Sequence, residues 1–323
     1  MENNSFYDKD LAKRFVSDYK LPISRISEDS FYYYLELYEN EFNTLTKWDN
    51  LLKLIKNNFN SDAKLFLDEY YKKRDEIITF VENSVSYQLF NTMDMVAFSF
   101  KPKINVPKGN VYIENNIGKR FLSIDIKKAN FQALKYVDTN IVLNADTYED
   151  FIHKFTDLDY IADSKYTRQV IFGKLNPKRH ITVEKYLINK IVELYSNNFN
   201  IGKIVNISND EVIIELQKEY YINLKNLQEK IKRYVKINVT CEIFTLYGIS
   251  LTGNDDKKRD MMYLKKIESP YTKEKYVCVP VNYYAIVYKK LHNIPLEEID
   301  YHFTYEGLDC KFCEDFNVKL IEN

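Results

Sequence analysis

Glycine is scarce in this chain: seven residues in 323, with proline equally rare and a single tryptophan. No glycine-rich phosphate loop and no dinucleotide fingerprint is present, which excludes those two routes to nucleotide binding. Four cysteines, Cys241, Cys278, Cys310 and Cys313, and a polar start without signal character fit a reducing, cytoplasmic setting. The four histidines (His153, His180, His292, His302) show neither metal nor nucleophile spacing. Cys310-Lys311-Phe312-Cys313 is one Cys-x-x-Cys pair, and a structural zinc needs four ligands. His302 and Cys278 would have to converge on it, so free thiols are expected. No apolar run approaches the ~18 residues of a membrane span, and no membrane partner is expected. Excess charge is also missing: the net is −1. A chain living by non-specific phosphate binding would be basic overall, so any nucleic-acid surface must be local.

What is abundant is aromatic and aliphatic area. The chain is 45% hydrophobic and 29% charged, with 28 Tyr and 20 Phe, so a globular protein with a sizeable core follows. Richness in Lys, Asn, Ile and Tyr suggests an AT-rich genome, and a virus or phage source is expected; the location would then be host cytoplasm.

Punctuation divides the chain into 1–105, 106–250 and 251–323. The first part reads as helical. Phe31, Leu35, Tyr38, Phe42 and Leu45 recur at helical steps behind Ser30 as N-cap, and further helices are predicted over 48–59 and 65–85. Tyr32, Tyr33 and Tyr34 are expected to pack in a helical bundle rather than stack on bases, and this region is a candidate surface for protein partners. The last part alternates short strands and helices, with a strand at 277–280 and a helix at 283–291.

The middle part carries the chemistry. Segments 111–113 and 120–125 read as a hairpin whose second strand ends in Asp125, followed by a helix from 126. Val183, Leu187, Ile191 and Leu194 mark another helix. Then Val205 and Ile207 precede, and Val212, Ile214 and Leu216 follow, a polar tip of Asn209 and Asp210. That alternation predicts a half-buried hairpin with Asp210 and Glu211 at its turn. Leu224, Leu227, Ile231 and Tyr234 give a helix, and Val235, Ile237, Val239, Cys241 and Ile243 a strand. The sum is an α+β domain, an antiparallel sheet with helices on one face. The window 164–183 holds Lys165, Arg168, Lys174, Lys178 and Arg179 and no acid before Glu184.

Two acids at a hairpin tip and one at a strand end make a hard-oxygen site suited to Mg2+ held together with substrate phosphates. Two such ions can activate a 3′-oxygen and stabilise a leaving pyrophosphate. Ser123-Ile124-Asp125 with its helix resembles motif A of palm-domain polymerases, and Ser208-Asn209-Asp210-Glu211-Val212 resembles their motif C. The order of elements after Tyr166 is similar to Y-family translesion polymerases, and motif C is also A-family-like; tRNA-His guanylyltransferases use a comparable Ser-Asp-Glu hairpin. The resemblance implies a palm-like sheet and a template-dependent nucleotidyltransferase, a small viral-type polymerase or primase-like enzyme. It implies Asp125, Asp210 and Glu211 as catalytic and metal residues for Mg2+ or Mn2+. Tyr166, Arg168, Lys174 and Lys178 would contact a nucleoside triphosphate, and a DNA or RNA primer-template would be the partner. Asn130, five residues after Asp125, would lie against the ribose. The alternative is a catalytically silent palm-like interaction or scaffold protein of a virus or phage.

Overall fold

The computed structural model describes residues 6–102, 110–198, 202–217, 222–253, 261–268 and 273–322. The expected boundary at 105 and most of the charged loop after Gly253 lie outside them. Helices run α1 Lys9–Tyr19, α2 Glu28–Leu37, α3 Glu39–Phe42, α4 Thr44–Phe59, α5 Ala63–Asn83, α6 Val85–Thr92, α7 Ala129–Val137, α8 Tyr148–Ile152, α9 Asp159–Asp163, α10 Lys165–Lys174, α11 Pro177–Asn198, α12 Leu224–Val235 and α13 Val281–Leu291. Strands are β1 Arg120–Ile126, β2 Gly202–Ile207, β3 Glu211–Leu216, β4 Val239–Thr252, β5 Met262–Ile267, β6 Lys273–Val277, β7 His302–Tyr305, β8 Leu308–Lys311 and β9 Asn317–Ile321. The protein is α+β.

Packing divides the chain into two units built from separated segments. One gathers 1–80, 149–174 and 280–315, the other 81–148, 175–279 and 316–323. Sequence punctuation follows local chain character and so misses the return of 280–315 to the helical unit.

The helical unit has an aromatic core around Phe15, Phe31, Tyr38, Trp48, Phe66 and Tyr70. Asp18 is fully buried, and its carboxylate accepts from Tyr70 (2.8 Å), Tyr160 (2.8 Å) and Ser164 (2.7 Å) while pairing with Arg14 Nε at 3.2 Å. Buried carboxylates persist when paired and bonded in this way. The tyrosine run packs as expected: Tyr34 is buried, and the Tyr33 hydroxyl donates to Asp300 at 3.0 Å. Ser30 is not the N-cap. The helix starts at Glu28 behind Ser27, and Ser30 lies inside and buried. The predicted single stripe to Leu45 is broken at Asn43, whose φ of 53° is left-handed.

The other unit is organised on an antiparallel sheet of order β2-β3-β1-β4-β5-β6, with β9 added along the outer half of β4. Strand β3 lies between β1 and β2 and runs antiparallel to both, so β1 and β2 are parallel. The run β1, helices, β2, β3, α12, β4 is thus a split β-α-β arrangement. Alternation puts Leu122, Ile124, Val212, Ile214, Cys241 and Ile243 on one face, all buried. There α12 packs on β4 and α11 on β3. The opposite face begins apolar, with Phe121, Ile213, Phe244, Leu246, Tyr263 and Ile267 clustered under Val111 and Ile117.

Several sequence expectations are corrected here. Residues 111–113 are not a strand; they cross the sheet face, and Val111 and Ile117 plug the apolar cluster. The β2–β3 register shifts between Ile204 and Asn206. This β-bulge puts Ile204 opposite Ile214 and turns Val205 to the other face, so Val205 and Ile207 do not share one. Tyr234 is 62% exposed, and Val235 fills the buried position instead. The strand after α12 starts at Val239 because Lys236 adopts a left-handed φ of 62°. The strand near 277 is β6, ending at Val277.

Candidate functional site

Strand β1 is central, hydrogen-bonded to β3 on one side and β4 on the other. Its polar-face residues are Phe121, Ser123 and Asp125, moving from the apolar cluster toward the hairpin tip. In register, Asp125 stands opposite Glu211 of β3 and Thr240 of β4, while Ser123 stands opposite Glu242. Cross-strand partners project from the same face, so Asp125, Glu211 and Glu242 share one surface. The Ile126 amide donates to the Asp210 carbonyl at 2.8 Å, which extends the β1–β3 ladder into the turn and fixes Asp210 beside Asp125.

Two serines hold this corner. The Ser123 hydroxyl donates to Glu211 Oε1 at 2.6 Å. The Ser208 hydroxyl accepts from the Glu211 amide at 2.9 Å and donates to Asp210 Oδ1 at 3.0 Å. Ser208 therefore caps the turn from inside, and the tip holds its shape without glycine.

Electrostatics mark Asp125 as the focus. Burial, then the neighbouring Asp210 and Glu211, push its carboxyl from 3.8 up to about 7; Lys275 opposes this and Glu242 adds to it. Crowded, partly desolvated carboxylates resist ionising together. On the helix side, Glu184 of α11 is 5% exposed, and its Oε1 is buried with no hydrogen-bond partner among the described residues. Burial and Asp210 push it up to about 7.

The basic window is placed less simply. Tyr166, Arg168 and Lys174 belong to the helical unit; Lys178 and the acids belong to the sheet unit. Tyr166 lies under the Arg14 guanidinium, 4.0 Å from its ring centroid. Lys174 and Lys178 are exposed. Arg179 donates to the carbonyl of Phe90 at 2.8 Å and to that of Met93, anchoring the start of α11 to the end of α6. Asn130 is half-buried on α7, and Phe131 beside it packs in the core against Tyr148.

Sequence reasoning missed Glu242, Lys265 and Glu184. Glu242 and Lys265 are polar positions inside apolar strands, and only the register of β1, β4 and β5 reveals their shared face. Glu184 ends the basic window on α11 and carries no local signal. All four cysteines are free, and among the described residues no group of three or more His, Cys, Asp or Glu side chains is set to hold a metal ion. At the acid corner, Ser123 of β1 holds the Glu211 carboxylate of β3 and Ser208 holds that of Asp210. No family model, curated protein or solved structure matches the chain.

Proposed function

We propose that this protein is a template-dependent nucleotidyltransferase with a palm-like sheet, working with Mg2+ or Mn2+ at Asp125, Asp210 and Glu211. The observation that carries the proposal is the register of β1 and β3, with Asp125 opposite Glu211 and next to the Asp210 turn. Far-separated acids meet on adjacent strands at one end of the sheet face.

The donor set is all carboxylate oxygen, the ligand type that Mg2+ and Mn2+ prefer. Asp125 would be the shared ligand, and Asp210 and Glu211 would join by rotating off Ser208 and Ser123. When bound, such ions activate a 3′-hydroxyl and neutralise a departing pyrophosphate. The chain's own part is positioning. Ser123 and the β1–β3 ladder fix where the carboxylates start, and Asp125 supplies a carboxyl whose ionised form a bound cation would favour. Within the sheet unit, Lys178 would meet the nucleoside triphosphate, and Asn130 its ribose. A DNA or RNA primer-template would complete the substrate set.

A silent palm-like interaction protein is the second reading, favoured by the Ser123–Glu211 bond, which satisfies one carboxylate internally. Primer extension decides between them. Wild type should extend a primed template in Mn2+ or Mg2+ with one nucleotide set, and Asp125→Ala and Asp210→Ala should not. No extension on DNA or RNA templates with either set would refute the enzyme.

A further inference from the structure

Lys265 is the residue on the sheet that the assigned site leaves unexplained. It sits in the middle of β5, opposite Leu246 of β4 and Lys275 of β6. It is only 4% exposed. A lysine buried to that degree normally has a carboxylate partner, because an ammonium loses much solvation on leaving water. Lys289 of the helical unit shows the usual solution: 1% exposed, it pairs with Asp300 at 2.8 Å. Lys265 makes no hydrogen bond and no ion pair among the described residues. Its ammonium lies over the Phe244 ring at 4.4 Å from the centroid and near the Tyr112 ring at 5.3 Å. Aromatic faces offset part of the lost hydration but supply no acceptor.

Its surroundings give the direction in which it acts. Lys265 shares the sheet face that carries Glu211, Glu242 and Asp125, and these three carboxylates are the charges that favour its protonated form; burial, the larger influence, disfavours it. The face thus groups three carboxylates with an ammonium that makes no ion pair to a described residue and keeps only a small contact with solvent. They are close enough to feel each other, yet do not pair. A ligand that brings both a divalent cation and an anionic oxygen satisfies both.

We propose that Lys265 is an anion-binding residue and that its ligand is the polyphosphate of a metal–polyphosphate complex. The proposal rests on the divalent-cation reading of the acids, but not on any transfer reaction. Phe244 and Tyr112 hold the ammonium in place before the ligand arrives, so little side-chain entropy remains to be lost on binding. A monoanion of carboxylate type fits less well, since it would add charge beside the acids without a cation to offset it.

The test is calorimetric binding of inorganic tripolyphosphate in Mg2+ to the full chain. Wild type should bind, and Lys265→Met should bind about ten- to a hundredfold more weakly, the loss of a charge-assisted hydrogen bond. Lys265→Arg should keep most of the affinity. Thermal melting without ligand supplies a second readout. Lys265→Met should melt no lower than wild type, because it removes a largely buried ammonium that has no ion-pair partner among the described residues. Equal affinity of wild type and Lys265→Met, or no binding by wild type, would overturn the proposal, as would a lower melting point in the Met variant. Asp125→Asn separates the two readings. If it binds like wild type while Lys265→Met does not, the metal assignment fails and the lysine assignment stands.

Discussion

Replacing Asp125 with Asn should stabilise the protein, and more so at high pH. Asp125 is pushed from 3.8 to about 7 by burial and by Asp210 and Glu211. In the unfolded chain it ionises near pH 4, so between pH 4 and 7 the folded state retains a proton that the unfolded state has lost. Stability therefore falls as pH rises through that window, and the penalty is complete above pH 7. At about 1.4 kcal/mol per pH unit, a gap of about 3 gives about 4 kcal/mol. Asp125 keeps part of its surface in water, and screening reduces this to about 2 kcal/mol. Asparagine has no charge to lose. Urea unfolding should show Asp125→Asn ahead by about 2 kcal/mol at pH 8 and by about 1 kcal/mol at pH 5.5. Saturating Mg2+ should erase the advantage, since it stabilises only the form that binds it. An equal difference at both pH values, or a destabilised variant, would refute the electrostatic account of this corner.

Glu184→Gln should also stabilise above pH 7 and lose that gain toward pH 5, because burial and Asp210 hold its carboxyl near 7; a pH-independent difference in urea midpoint would contradict this. Lys289→Met should cost about 3–5 kcal/mol by leaving the buried Asp300 carboxylate without its cation. The same unfolding titration checks it, and a change under 1 kcal/mol would count against a tight pair. Asn130→Tyr should shift nucleotide choice toward deoxyribonucleotides, read by single-nucleotide incorporation. Unaltered selectivity would show that Asn130 is not the ribose contact.

A short apolar run ending in an acid was enough to find the strand carrying Asp125, which is buried on both faces, and period-2 alternation to find the hairpin carrying Asp210 and Glu211. Their pairing was also readable, since an acid-ended strand and an acid-tipped hairpin suit one edge. What alternation does not encode is register. Glu242 and Lys265 lie in strands whose apolar residues announce a strand but not its neighbour. The bulge at Val205 defeated the pattern locally, since one extra residue reverses every later side chain. The segment 111–113 looks like a strand because its residues are apolar, yet Val111 and Tyr112 cover the sheet rather than join it, and Ile113 is exposed. Tyr234 failed for the opposite reason: it keeps helical spacing but projects into water, while Val235 takes the core position.

The central claim is that Asp125, Asp210 and Glu211 bind a divalent cation together. Titrating Mn2+ into the protein while following the free-ion paramagnetic resonance signal tests it most directly. Wild type should remove Mn2+ from solution saturably, and Asp125→Asn and Asp210→Asn should each abolish the tightest site. Absent binding in wild type, or equal binding in all three proteins, would contradict the account.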